Sequence, residues 1–476
     1  MKIEGTIRGE GVHASAVIIC RDPVMQHVPV KYDTKGGAII TQYDGVHTAD
    51  LGLLKMDFLG LRTLTVLSKA KEYILETTGK DVDLDKIDIE DPAIFDLFDR
   101  GDTEGVFQVE SEGMRQLLKK MHPDRYSDIV AVLALYRPGP LNAGMVDSFV
   151  NRKLGKEKIT TYDPRLAPIL DPTYGVIVYQ EQVMRISTAM SGFSVGESDK
   201  VRKAVAKKKI KLMQETVYDW SDGEHETMED HWLNGAVRNG YERKVAQTIW
   251  DDVLKFASYA FNKSHSAAYA IITMQTGWLK AYYPTQYMAA VLTSYTGRNE
   301  KLIHYIQACK ADDIDVLPPD VNSSRRDFTP TAEGIRFGLA GIRGVGEAVA
   351  DAIIAEREKS GPFTSLHDFV YRVSTENYNK KSVEHLIKAG AFDSTGYTRR
   401  QMIKFIMEDG LMESAAKKHR DQAAGQFSIF DLAGDDDDGG LTEEIPAPDG
   451  VEWDRDVKLA FEKETLQMYV SDHPLS

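Results

Sequence analysis

The spacing of hydrophobic positions changes along this chain. Over the first 75 residues, short apolar runs alternate with polar turns. Ala16-Val17-Ile18-Ile19-Cys20 reads as a short buried strand, and Val28-Pro29-Val30 and Ala38-Ile39-Ile40 as weaker ones. From Thr63 to Leu75 the period lengthens: Leu64, Val66, Leu67, Ala70 and Ile74 recur near 3.6 residues and predict a helix. Helical spacing then dominates to about residue 325, broken by Pro123, Pro138, Pro140, Pro164, Pro168, Pro172 and Pro284. Lys244 to Phe256 is the clearest amphipathic stretch, with Val245, Ile249, Val253 and Phe256 on one side.

Leu317-Pro318-Pro319-Asp320 marks a boundary. A smaller unit follows over about 326–415, with a strand pattern at Ile335 to Leu339 and several short helices. Residues 416–450 read as a linker, rich in Gln, Ala, Gly and Asp. Residues 451–476 regain element-like text from about 455. The pattern predicts an α+β chain, predominantly helical, divided at 1–75, 76–325, 326–415, 416–450 and 451–476. No internal repeat is visible.

Composition narrows this picture. The chain has 476 residues, 42% of them hydrophobic, enough for about two to four domains with real cores. The most apolar stretch, Ala270 to Tyr282, is too short to span a bilayer and contains Lys280. No signal peptide is expected after Met1, and no membrane partner. Cys20 and Cys309 have no CxxC neighbours, which argues against a disulfide framework or a zinc site. A cytoplasmic setting is expected. The net charge of −15 would repel a polyanion, but residues 431–476 carry 14 acids and 3 bases, so the first 430 residues are near balance. Within them Lys200, Arg202, Lys203, Lys207, Lys208, Lys209 and Lys211 fall in one short run, and the local field decides such encounters.

Candidate chemistry falls in five places. Asp57 ends an apolar run, and Lys55 would share its strand face; one reading of Asp57 is a cap for the following helix. In the basic run, a helix brings Arg202 and Lys203 within a turn of Lys207, a cation cluster suited to a triphosphate or simply a solvated face. Asn262, Lys263, Ser264 and His265 form a dense donor set; a cap at Ser264 with His265 incidental is the structural alternative. Arg343-Gly344-Val345-Gly346 before a helical stretch from Ala348 to Ile354 exposes backbone N–H groups that bind phosphate regardless of base, or makes only a tight turn. Asn379 to Ala391 is a possible companion. No HxH or HExxH set supports a metal hydrolase.

Six stretches stand in the order found in one family: Gly11-Val12-His13-Ala14; Leu53-Leu54-Lys55-Met56-Asp57-Phe58-Leu59-Gly60; Gly105-Val106-Phe107-Gln108 with Arg137-Pro138-Gly139-Pro140; Tyr179-Gln180-Glu181-Gln182-Val183-Met184; Asp199 to Lys209; and Phe261-Asn262-Lys263-Ser264-His265-Ser266. With them the chain resembles the C-family bacterial replicative DNA polymerases across essentially its whole length. The resemblance implies a partial palm, helical fingers and a helix-hairpin-helix unit. It implies that Asp57 is a catalytic, metal-binding palm carboxylate in a two-metal Mg²⁺ site, incomplete here because the family's Asp-x-Asp pair and N-terminal phosphoesterase-like domain would lie outside this chain. His13, Lys55, Arg202, Lys203, Lys207, Asn262, Lys263 and His265 would meet the incoming nucleotide. Lys208, Lys209, Arg343, Gly344 and Gly346 would meet DNA. Gln426-Phe427-Ser428-Ile429-Phe430 resembles a sliding-clamp peptide, with Gln426, Ile429 and Phe430 as anchors. An oligonucleotide-binding domain would follow the chain's end.

The sequence departs from the family pattern at Ser15-Ala16, Lys203 and Ala206, where smaller residues, an arginine and a glycine are common. Template-directed DNA synthesis is thus the implied activity of the intact parent, with primer-template DNA, deoxynucleoside triphosphates, the sliding clamp and other replicase subunits as partners. The isolated chain is expected to be inactive. The alternative reading is a non-catalytic fragment that binds DNA and the clamp.

Overall fold

The computed structural model describes residues 4–6, 9–33, 37–206, 210–256, 259, 261–423 and 445–470. The chain forms two compact units that divide between Thr65 and Val66. It is α+β and predominantly helical, and among the described residues its sheets have two or three strands.

In the first unit, Ala16–Ile19 pairs antiparallel with Leu54–Asp57, and Val30–Tyr32 with Ile39–Thr41. The register sets Ala16 opposite Asp57 and Ile18 opposite Lys55, so these four share one face of the ribbon. Val17, Ile19, Leu54 and Met56 share the other and are exposed, which corrects the expectation of a buried strand. The apolar run marked the strand; a two-stranded ribbon is a single layer, and burial needs a second one. Val28 is the one buried hydrophobic residue of this unit among the described residues.

Among the described residues the second unit holds three cores. One packs the helices Pro92–Arg100, Glu112–Met121, Tyr126–Leu135 and Met145–Lys153 against Ala270 and Met274 of the helix Lys263–Tyr282. A second packs Gln180–Ser191, Val195–Ala206, Met228–Arg238 and Arg243–Phe256. In the last of these helices Ile249, Val253 and Phe256 are buried as their spacing requires. A short hairpin, Val217–Asp219 with His225–Thr227, lies between the second and third of them in sequence.

The third core crosses the boundary expected at Leu317 to Asp320. The helix Arg62–Thr78 presents Val66, Leu67, Ala70, Tyr73 and Ile74 to the helices Pro284–Ser294 and Asn299–Ala311 and to residues 314–415. Tyr73 donates its hydroxyl proton to the carbonyl of Phe328 at 2.6 Å. Val316–Leu317 runs parallel to Gly334–Arg336, which pairs antiparallel with Thr329–Thr331, so the proline-marked turn sits inside one core. Part of the stretch read as a linker carries structure: the helix Leu411–Ala423 runs into it, and Asp449 at its end, with Glu452 just beyond, binds the start of the helix Arg399–Met407. Among the described residues no helix is long and apolar enough to cross a membrane. Lys280 is buried in the helix Lys263–Tyr282, held by Asp102 at 2.6 Å and Asp312 at 3.1 Å.

Candidate nucleotide and nucleic-acid sites

The end of the first ribbon brings three of the expected residues together. Lys55 Nζ lies 3.1 Å and 3.2 Å from the two carboxylate oxygens of Asp57. His13 Nε2 lies 3.7 Å from Asp57 Oδ1. His13 Nδ1 accepts the backbone N–H groups of Ser15 and Ala16 at 3.2 Å and 3.0 Å. A nitrogen that accepts is unprotonated, so the neutral ring carries its proton on Nε2, facing Asp57. The carboxylate is half-exposed and open to a ligand. Asp57 lies well before the helix Arg62–Thr78, and its contacts go to Lys55 and His13. Among the described residues no group of three or more His, Cys, Asp or Glu is gathered. One carboxylate beside an ammonium does not fit a two-metal centre; a divalent ion there would need further carboxylates.

The basic helix Val195–Ala206 is anchored at its start. Ser194 Oγ accepts the Glu197 N–H, and Glu197 accepts the Ser194 N–H at 2.8 Å, a reciprocal capping box. Glu197 also accepts the N–H and hydroxyl of Ser221, from the hairpin turn, at 2.8 Å and 2.6 Å. Burial alone would raise this carboxyl, but the hydrogen bonds from Ser221 and Ser194 outweigh it and bring it down to about 2. Further along, Asp199 takes both Lys203 and Arg202 at 2.8 Å, which holds its carboxyl below the usual range. Lys200 lies 4.9 Å from the centre of the Trp220 ring. Lys207, Lys208 and Lys209 lie outside the described residues.

Three distant stretches meet at the start of the helix Lys263–Tyr282. The cap is Asn262, whose side-chain oxygen accepts the His265 N–H at 2.9 Å, so the capping alternative at Ser264 is corrected by two residues. The helix begins at Lys263, and Asn262 is the last residue with extended backbone. Both carboxylate oxygens of Glu181 accept the Lys263 N–H, at 2.9 Å and 3.1 Å. Gln180 N–H donates to the Phe261 carbonyl at 2.9 Å. Arg137 donates to the Tyr259 carbonyl at 2.7 Å, its guanidinium 4.4 Å from the Phe261 ring. Lys263 and His265 are left exposed. Glu181 and Arg137 stand in two of the family-like stretches but carried no site role there, because only pairing in space shows what they hold.

The glycine-rich turn is built outward from a buried base. Ile342 and Val345 are buried, while Arg343, Gly344 and Gly346 are exposed. Gly344 adopts φ +76°, the left-handed region. Gly346 precedes the helix Glu347–Ser360. The companion stretch braces this turn: His385, on the helix Lys380–Lys388 capped by Asn379, hydrogen-bonds the Arg343 carbonyl. The Arg343 N–H donates to the Thr465 carbonyl at 2.9 Å, from the helix Arg455–Thr465. That helix is fixed by the buried pair Arg399–Glu462 at 3.1 Å.

Residues 1–60 match the family model for the bacterial DNA polymerase III alpha NTPase domain. Residues 63–227 match that of the bacterial DNA polymerase III alpha subunit finger domain, and residues 313–402 a helix-hairpin-helix motif. The chain is 44% identical over 476 residues to DNA polymerase III subunit alpha of Aquifex aeolicus, covering all of this chain and 38% of the relative. It is 40% identical over 482 residues to that of Mycobacterium tuberculosis, and 39% identical over 480 residues to that of Thermus aquaticus. The chain belongs to the bacterial DNA polymerase III alpha subunit family.

It spans 37% to 39% of the length of these polymerase alpha relatives. The Asp57 corner falls in the NTPase-domain match, the anchored basic helix in the finger match, and the Arg343 to Gly346 turn in the helix-hairpin-helix match. The helix Lys263–Tyr282 falls in none of the three, yet its start is tied through Glu181 to the finger match. The clamp-like residues Gln426, Ile429 and Phe430 lie outside the described residues.

Proposed function

We propose that this chain serves template-directed DNA synthesis as part of a replicative DNA polymerase alpha subunit, and that its turn at Arg343 to Gly346 grips the DNA backbone. The observation that carries this reading is that turn: exposed glycines at a helix start, with an arginine beside them, set on a buried brace inside a helix-hairpin-helix match. Backbone amides there meet phosphate without reading bases.

In this reading Asp57 contributes one carboxylate to a divalent-ion centre, with Mg²⁺ the hard-ligand choice, and other carboxylates complete it. Lys55 and His13 orient Asp57 and face the triphosphate. Arg202, Lys203, Lys207, Lys263 and His265 serve nucleotide binding through their charge and donors. Asn262 spends its carbonyl on the cap and acts by fixing the helix start. Lys208 and Lys209 extend the DNA contact. Gln426, Ile429 and Phe430 dock a sliding clamp, other replicase subunits complete the assembly, and the setting is the cytoplasm.

The test is duplex binding by the chain, followed by fluorescence anisotropy against salt. Binding independent of base sequence is expected, with Arg343→Ala lowering the log–log salt slope by about 1. A slope unchanged by that substitution, or affinity that follows base sequence, overturns the reading of the turn. Primer extension by a full-length subunit carrying these residues tests the rest: Asp57→Asn should abolish extension while leaving duplex binding intact.

A further inference from the structure

A trough of 470 Å³ opens between Pro164–Leu166, Ala167–Leu170, the helix Gln180–Ser191 and the start of the helix Val195–Ala206. Part of its lining is apolar: Ile169, Met184 and Ala189. Met184 and Thr188, and Arg185 and Ala189, stand one helical turn apart, so one helix face supplies most of one wall. Val195 lines the trough while 76% exposed, an apolar side chain without cover.

Two guanidinium groups stand at this apolar surface. Arg165 is fixed in place: it grips Asp163 through two hydrogen bonds of 2.9 Å and 2.7 Å and lies 3.5 Å from the centre of the Tyr241 ring. It also donates to the backbone carbonyls of Asn239 and Gly240 at 3.4 Å and 3.3 Å, so most of its donors are engaged and what it adds to the rim is charge. Arg185 is exposed, and among the described residues no carboxylate lies within 4.0 Å of it. Asp163 offsets one of the two positive charges, which leaves the trough with a net positive rim.

We propose that this trough is a docking site for a short acidic segment of a partner protein, with aliphatic or aromatic anchors between its carboxylates. The anchors cover Val195 and Met184, the carboxylates meet Arg185, and Arg165 adds charge at the rim. Charge complementarity selects the acidic partner, and an adaptable methionine with open aliphatic neighbours selects a peptide. The same surface is poorly made for single-stranded nucleic acid, because among the described residues no aromatic ring lines it and stacking platforms need one.

The probe is a fluorescein-labelled peptide, Asp-Asp-Leu-Asp-Leu-Phe, titrated with the 476-residue chain and read by anisotropy. Binding near about 10–100 µM is expected, weakening as salt rises. Arg185→Glu and Val195→Asp should each weaken it about tenfold or more, and a Lys-for-Asp version of the peptide should not bind. Both substituted positions are exposed, so unchanged amide hydrogen exchange and duplex binding show that the fold and the hairpin reading are unaffected. Equal binding by the variants, no binding at about 1 mM, or displacement of the peptide by oligo-dT overturns the proposal. So does tighter peptide binding when Asp435 to Asp438 are replaced by serine, since the chain's own acidic run would then be the occupant. Self-association lost in Arg185→Glu would likewise assign the surface to a second copy and overturn it.

Discussion

Replacing Gly344 by alanine separates the two roles of the turn, its shape and its approach to phosphate. Alanine at φ +76° pays the left-handed cost of about 1–2 kcal/mol. Its Cβ would also lie 2.9 Å from His385 Nδ1, inside ordinary contact distance. His385 is buried and would have to shift, weakening its hydrogen bond to the Arg343 carbonyl by about 1 kcal/mol. Against this, alanine restricts the unfolded chain and returns about 0.4–1 kcal/mol. The net loss is about 2 kcal/mol.

Gly346→Ala is the control. Its φ is −80°, and an added Cβ meets nothing within 4 Å, so its effect on stability should stay within about 0.5 kcal/mol. Both methyl groups crowd the exposed amides, so both variants should bind duplex less tightly. With three cores in the second unit a single unfolding midpoint is not well defined, and amide hydrogen exchange by mass spectrometry is the suitable assay. In Gly344→Ala, peptides covering 339–360 and 379–391 should exchange about 30-fold faster. In Gly346→Ala they should match the parent. Equal exchange in the two variants would refute the bracing of the turn by His385.

Glu197 predicts a pH dependence. Its folded carboxyl sits near 2 against an ordinary 4.5, so it stabilises the fold above about pH 4.5, and that contribution disappears as pH falls towards 2. Glu197→Gln should cost up to about 3 kcal/mol of local stability at neutral pH and flatten the acid limb, read by hydrogen exchange of the helix Val195–Ala206; an unchanged acid limb would remove Glu197 as the cause. A peptide of residues 421–433 should bind a bacterial sliding clamp, with Ile429 and Phe430 each supplying roughly 1.5–3 kcal/mol before ordering costs, and calorimetry should show no heat for Gln426→Ala with Phe430→Ala. Pure 476-residue chain should not extend a primed template with Mg²⁺ and nucleotides; incorporation that Asp57→Asn abolishes would show that the chain makes a working centre.

The sequence carried the elements whose signal is local. The 3.6 spacing of Ile249, Val253 and Phe256 gave a helix with those residues inside, and Lys55 two positions before Asp57 shares its face and touches it. Ser194-Val195-Gly196-Glu197 also had the spacing of a capping box, a readable signal that went unused. What needed the third dimension was lost. Nothing in the text around Glu181 announces that its carboxylate holds the Lys263 N–H, and proline-marked boundaries did not show that the helix Arg62–Thr78 shares a core with residues 314–415. Lys280, read as a reason against a membrane span, is buried because Asp102 and Asp312 neutralise it from other elements.

That shared core has a consequence for synthesis on the ribosome. The hydroxyl of Tyr73 waits for the carbonyl of Phe328, 255 residues later in the chain. At about 5–20 residues per second the apolar stripe of Arg62–Thr78 emerges roughly 13–50 s before Phe328 exists. The helices between can condense first around their own two cores, while this stripe stays sticky and open to chaperones. Slowing translation between residues 78 and 328 should therefore raise aggregation of nascent chains, and slowing it after 415 should not.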